Sequence, residues 1–343
     1  MTNNTSSLKK KSKLSSLLNP KYMTVYATVS LFIFAFIAGS VIYGDKGFST
    51  LRTFFNIFID NAHLGISAVG MTVVLISGGI DLSVGAVAAL TTMIISFGSE
   101  NLGIHPYICI AIGIFVGCLF GFLMGSMIYY FKVPPFISTL AGMFMARGLC
   151  AIISRSSIPI RHEAFELIAK WKIKFSKPPA AINLAVLIFF AMIIVGVFIM
   201  HSTKFGRNVY AIGGNETSAK LMGLPVGKTI IMVYTFNGFC SALAGLAFAF
   251  YTRSGWSLNL QGMELDVIAA AVIGGTLLTG GVGYVFGTLF GVMLQSLIPT
   301  FITFNGKLDS WWGKIFIGVL LLAFIGLQRL VVWSAERKKP AND

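Results

Sequence analysis

Charge is scarce in this sequence. Asp, Glu, Lys and Arg make up 11% of its 343 residues, against roughly 25% in soluble domains. A buried core does not require so few charges, so water is not the main solvent around the chain. Acidic residues are scarcer still: 12, against 26 Lys and Arg, for a net charge of +14. A basic excess can mark nucleic-acid binding. Here the basic residues lie in tails and loops between apolar runs, which points to lipid headgroups and membrane topology, with no nucleic-acid partner. Only four cysteines and four histidines are present. Cys109, Cys118, Cys150 and Cys240 lie inside apolar stretches at no metal-ligand spacing, and they read as packed thiols. His63, His105, His162 and His201 are scattered, with no His-Glu-x-x-His pair and no Gly-x-Ser-x-Gly elbow. The sequence therefore offers no catalytic residues, no metal site and no cofactor site.

Apolar residues fill the space left by charge. They make up 56% of the chain, and the mean hydropathy is +0.82. A helix crossing a bilayer needs about 20 apolar residues. Segments approaching that length lie at 24–43, 56–76, 84–97, 107–130, 136–154, 182–200, 229–252, 266–280, 284–303 and 313–332. The expected fold is all-α, a polytopic membrane protein with about ten transmembrane helices. Its organisation is a polar tail (1–22), a membrane domain (23–333) and a second tail (334–343). The segments at 84–97 and 266–280 are short and rich in Gly and Ala. Such interrupted spans either line a transport pathway or simply allow close helix packing.

Lys9, Lys10, Lys11, Lys13 and Lys21 precede a full-length apolar run with no small-residue cleavage site, the pattern of a signal anchor. The positive-inside rule places this tail in the cytoplasm, together with the end carrying Arg329, Arg337, Lys338 and Lys339. Two ends on one side demand an even number of spans. The loop at 155–177 resists the rule. It should lie outside, yet it carries Arg155, Arg161, Lys170, Lys172, Lys174 and Lys177. Pro159, Trp171, Pro178 and Pro179 suggest a folded loop, one able to dock an outside partner.

Glycine spacing speaks to packing. Gly113, Gly117, Gly121 and Gly125 recur every four residues in one span, as do Gly283, Gly287 and Gly291 in another. Helix backbones can approach closely along such faces. The stretches 77–85 and 274–283 are loosely alike, a hint of internal duplication. Asp81, with Ser83 two residues on, sits in the first of them. Capping the next helix's amides is its expected role, and direct solute contact is the alternative.

The sequence Gly223-Leu-Pro-Val-Gly227-Lys228-Thr229 imitates a nucleotide-binding P-loop but is one residue short and abuts a span, so no ATPase is expected in this chain. The loop 201–228 is the longest on the expected cytoplasmic side. Asn215 opens and Gly223 with Pro225 closes a short helix. Ala219 and Gly223, four apart, give it a small face suited to a groove on a soluble partner. An ordinary connecting loop is the alternative.

Three motifs carry a family resemblance: Gly78-Gly79-Ile-Asp81-Leu-Ser83-Val-Gly85, Tyr210-Ala-Ile-Gly213-Gly214-Asn215, and Gly274-Gly275-Thr-Leu-Leu-Thr-Gly280-Gly281-Val-Gly283. They resemble signatures of the ribose, xylose, arabinose and galactose permeases of ABC importers, in the family's order and over roughly residues 24–332. The segments Leu140-Ala-Gly-Met-Phe144, Ser157-Ile-Pro-Ile160, Glu264-Leu-Asp266, Ser310-Trp-Trp312 and Lys314-Ile315 are similar to a permease subunit of the enterobacterial galactofuranose importer. That importer pairs two different permeases. The resemblance implies a type II importer fold, a bacterial inner-membrane location and a monosaccharide substrate. The implied partners are a cytoplasmic ATPase subunit, a second permease subunit and a periplasmic sugar-binding protein. It also implies that loop 201–228 carries the coupling helix, with Gly213, Gly214, Asn215, Ala219 and Gly223 at the ATPase contact. The two glycine breaks would then lie on the pathway. An ion-coupled secondary transporter and an intramembrane enzyme are the rivals. Isolated ionisable residues (Asp60, His63, Asp81, Arg147, Asp266) give neither a proton relay nor paired catalytic groups.

Overall fold

In the computed structural model, the structure describes residues 20–175, 180–309 and 311–337. The lysines at positions 9–13, the tail from 338 onward and Ser310 lie outside the described residues.

The described chain is helical almost throughout. Helices α1 (Pro20–Ile42), α2 (Leu51–Ile76), α3 (Val84–Glu100), α4 (Pro106–Tyr130) and α5 (Pro135–Ile153) come first. A short α6 (Glu163–Lys170) follows, flanked by β1 (Ile158–Pro159), β2 (Lys172–Phe175) and β3 (Ala180–Asn183). Then come α7 (Leu184–Ser202), α8 (Lys204–Gly214), α9 (Glu216–Leu221), α10 (Val226–Thr252), β4 (Ser254–Gly255), α11 (Met263–Ile273), α12 (Val285–Asn305) and α13 (Trp311–Arg337). The boundaries have local causes. Pro106 and Pro135 open α4 and α5, where a missing amide costs nothing. Asn183 caps α7 by accepting from the Val186 amide at 3.1 Å.

Among the described residues, eight helices are long and apolar enough to cross a membrane. Each of the ten apolar segments is at least partly helical, but two are not full-length helical spans. Helix α3 has 17 residues, and α11 only 11, about 16 Å of rise against a hydrocarbon core of about 30 Å. The segment at 266–280 is corrected accordingly. Its helix stops at Ile273, and the rest is a glycine turn.

The bundle is built inside out. Residues 64–76 of α2 are all buried, enclosed by α7, α10, α11 and α12. Outer helices turn large apolar side chains outward: Phe34 of α1, Phe115 of α4, Ile152 of α5, Phe198 of α7 and Leu322 of α13. Lipid is the solvent that such a surface requires. Polar groups lie within. The Thr72 and Thr288 hydroxyls bond across α2 and α12 at 2.7 Å, and Gln328 donates to the Val272 carbonyl at 3.0 Å.

Glycine sets the closest crossing. A Cβ on Gly121 would overlap the Tyr234 carbonyl, one on Gly117 would lie 2.7 Å from the Gly238 carbonyl oxygen, and one on Gly125 2.9 Å from the Ile231 Cα. These three lock α4 onto α10. Gly113 instead faces α3, where its Cβ would meet Thr91 at 2.8 Å. The basic loop between α5 and α7 is folded. It contains α6 and the antiparallel β2–β3 hairpin, and β1 pairs with β4 beyond α10.

Candidate functional site

The three glycine motifs, far apart in sequence, meet at one end of the bundle. Helix α2 ends where Ser77 and Gly78 (φ +85°) turn the chain. Helix α11 ends alike, at Gly274 and Gly275 (φ +96°), and Gly280 and Gly281 also take positive φ. Only glycine adopts that conformation without steric cost. The Gly281 amide donates to the Ile76 carbonyl at 2.8 Å, pinning the second break against the end of α2. A Cβ on Gly280 would lie 2.8 Å from the Gly78 Cα and from the Gly213 carbonyl oxygen. One on Gly213 would overlap the Ile76 carbonyl oxygen. The loop 201–228 is thus in backbone contact with both helix breaks. Tyr210 of α8 adds a hydroxyl bond to the Gly283 carbonyl at 2.7 Å.

Asp81 lies in the first break and is 1% exposed. One carboxylate oxygen accepts from the Ser83 amide at 2.8 Å and the Ser83 hydroxyl at 2.7 Å. The other accepts from Asn237 of α10 at 2.8 Å. The carboxylate therefore closes the turn ahead of α3 and ties it to α10; it does not reach the amides inside α3. A buried carboxylate is tolerated where several donors converge on it. Asn237 carries no motif in the sequence, and only the packing of α10 against α3 brings it to Asp81.

Loop 201–228 contains two helices where the sequence suggested one. Thr203 caps α8 by accepting from the Gly206 amide at 3.2 Å. Asn215 caps α9 by accepting from Ser218 at 2.8 Å, and Gly223 (φ +77°) ends it. The expected small docking face is corrected. Ala219 is fully buried, packed with Ile212 and Val226 against Tyr129 and Ile230 of the same chain. Ala219 is the one non-polar position of α9 turned inward, and it holds the helix down. What points away is Leu221, 84% exposed, and Met222, 68% exposed, beside Glu216, Ser218 and Lys220. Gly214 and Gly223 are exposed with open space around them.

No group of three or more His, Cys, Asp or Glu that could hold a metal occurs among the described residues. The architecture is that of a polytopic membrane transporter with two broken helices joined to a surface loop.

Residues 53–325 match the family described as branched-chain amino acid transport system / permease component. The chain belongs to this family of membrane permease components. It is 47% identical over 300 residues to the inner membrane ABC transporter permease protein YjfF of Escherichia coli K12, covering 86% of this chain and 90% of that one. It is 36% identical to the fructose import permease protein FruG of Bifidobacterium longum, covering 99% and 100%. It is 35% identical to the ribose import permease protein RbsC of Bacillus subtilis, covering 77% and 81%. No solved structure matches the chain. The chain is an ABC-importer permease of the sugar-permease type, not an enzyme; ATP hydrolysis belongs to a separate subunit.

Proposed function

We propose that this chain is the membrane subunit through which an ATP-driven importer passes a monosaccharide into a bacterial cell. Both termini and loop 201–228 face the cytoplasm, and the β2–β3 loop faces out. The observation carrying this reading is the junction of Ile76, Gly213 and Gly281. A displacement of α8 and α9 by an ATPase beneath them would pass directly into both helix breaks. No flexible linker intervenes to absorb it. Leu221 and Met222 supply the apolar contact for that subunit, and Gly213 and Gly214 link the contact to the bundle.

The remaining partners follow from the same reading. A sugar-binding protein delivers solute to the outer face, and a second, different permease subunit completes the pathway. The family description names amino acids, whereas relatives are named for fructose and ribose. A neutral sugar needs hydroxyl partners and apolar walls, and the charge-poor bundle suits it. Within the monosaccharides, the likeness at residues 140–144, 157–160 and 264–266 favours galactofuranose. Transport itself is a switch between outward-open and inward-open states, driven by their differential interaction with the ATPase.

The test is uptake in membrane vesicles containing the assembled importer. With ATP inside and a protonophore plus sodium ionophore present, sugar uptake should continue at the uninhibited rate. Uptake that stops with the ion gradients, while ATP remains, would make the chain an ion-coupled transporter instead.

A further inference from the structure

At the end of the bundle opposite the glycine junction, the segment between α10 and α11 dives inward. Gly255 lies against Ser96 of α3, where a Cβ would touch the side chain, and against the Thr92 carbonyl. Leu260 and Glu264 lie against Gly85, a Cβ there falling 2.6 Å and 2.8 Å from their oxygens. Ser96 and Gly85 are separated by roughly 16 Å along α3. The chain therefore descends as a loop, and α11 begins deep in the bundle. Arg147 of α5 holds this loop, donating to the carbonyls of Ser257 at 2.9 Å, Asn259 at 2.6 Å and Leu260 at 3.1 Å.

A cavity of about 500 Å³ opens against this loop, within the range of roughly 300–1,000 Å³ usual for small-molecule sites. Asn61 and His63 of α2, Phe248 of α10, Asn259 and Gln261 of the loop, and Gln295 of α12 line it. Gln295 is 3% exposed. Its carbonyl oxygen and the Asn259 side-chain amide are buried without hydrogen-bond partners among the described residues. An acceptor and a donor thus border one cavity, both unpartnered, which is costly for buried polar groups. His63 meets Phe248 edge-on, ring centroids 5.0 Å apart, giving the cavity an aromatic wall.

We propose that this cavity is the solute-binding half-site of the permease and that it takes a neutral polyhydroxylated ligand, not an amino acid or an anion. The inference rests on the sugar-importer reading and names the residues that would meet the sugar. Charge decides the ligand class. A helix beginning inside the bundle offers a positive end to anions, but Glu264 and Asp266 already occupy the first turn of α11. Arg147 is held by the three loop carbonyls, and Lys314, which lines the cavity together with Asp266, is paired with it at 2.6 Å. A carboxylate ligand would have to displace Asp266 from Lys314, whereas hydroxyls could satisfy the acceptor of Gln295 and the donor of Asn259.

The test uses the importer assembled with its ATPase, partner permease and binding protein in proteoliposomes. The probes are radiolabelled D-galactose, D-fructose, D-ribose and L-leucine. The wild type should import a sugar and exclude leucine. Gln295→Leu should lower that sugar's uptake about tenfold, the loss expected for a hydrogen bond left unmade, with binding-protein-stimulated ATPase activity retained. Gln261→Trp, on an exposed loop position, should obstruct the cavity to similar effect, and it decides the matter alone if Gln295→Leu does not fold. Sugar uptake at the wild-type rate by a folded variant of each kind would remove the cavity from the route while leaving the importer reading intact. Leucine import by the wild type would overturn both.

Discussion

The Gly281 amide bonds to the Ile76 carbonyl at 2.8 Å, so the break after α11 is anchored on the end of α2. Residues 205 positions apart share one turn of structure, and Gly213 of a third motif closes on the same carbonyl. The two breaks and the surface loop are therefore in direct backbone contact. Under the proposed function, this contact would carry a displacement from the ATPase subunit to the membrane helices.

Gly213 is the most sensitive position in the junction. Any side chain there must displace the Ile76 carbonyl or the Gly281 amide. Overpacking of this kind typically costs about 1–3 kcal/mol. Gly213→Val should lower the melting temperature of the detergent-purified protein and reduce uptake. Gly214→Val, whose added atoms meet open space, should melt within a degree or two of wild type. Equal stability of the two variants would contradict the junction.

The Asp81–Asn237 bond makes a separate prediction. Asn237→Leu removes one donor from a carboxylate that is 1% exposed. Leaving such a group short of partners costs about 1–3 kcal/mol. Thermal unfolding should show this loss, and Asp81→Asn combined with Asn237→Leu should recover part of it, because the uncompensated charge is then gone. A double variant no more stable than Asn237→Leu alone would assign the loss to packing.

Helix α4 packs on α10 through glycine. Gly121→Leu would collide with the Tyr234 carbonyl, while Gly148→Leu on α5 has nothing within 4 Å of its new Cβ. Folded yield by size-exclusion chromatography should fall severalfold for the first and hold for the second. Wild-type yield for Gly121→Leu would refute a close α4–α10 crossing.

Orientation is read by accessibility. Cysteine at exposed Lys172, on the β2–β3 hairpin, should react with an impermeant maleimide in spheroplasts. Cysteine at exposed Lys220, on α9, should react only after lysis. The reverse pattern would invert the proposed topology.

Much of this was legible in the sequence, for identifiable reasons. Membrane helices announce themselves through composition, because lipid forces apolarity along an entire span. The Asn215 cap and Gly223 stop were readable since both act locally. Glycine repeats likewise marked α4, although the sequence could not separate Gly113, which faces α3, from its three neighbours facing α10. Burial direction on a single turn of helix was the failure. Ala219 looked like a docking residue, and it instead packs under Tyr129. A small side chain suits either a partner's groove or the chain's own core, and spacing does not distinguish them. The end of α11 at Ile273 was missed because the glycines after it continue an apolar run. Asn237 and the Arg147 clamp depend on partners more than a hundred residues away, which no local pattern reports.

If an ATPase drives this permease through α9, the force enters at the exposed apolar edge formed by Leu221 and Met222. Leu221→Asp with Met222→Asp places two charges on that edge without touching the buried Ala219 cluster. Co-purification of the ATPase with this variant is measured beside ATP-driven uptake. The permease should stay monodisperse with wild-type melting but lose most of the bound ATPase and its uptake, since unpaired interface charges typically cost about 2–5 kcal/mol. Stoichiometric ATPase recovery with normal uptake would contradict it.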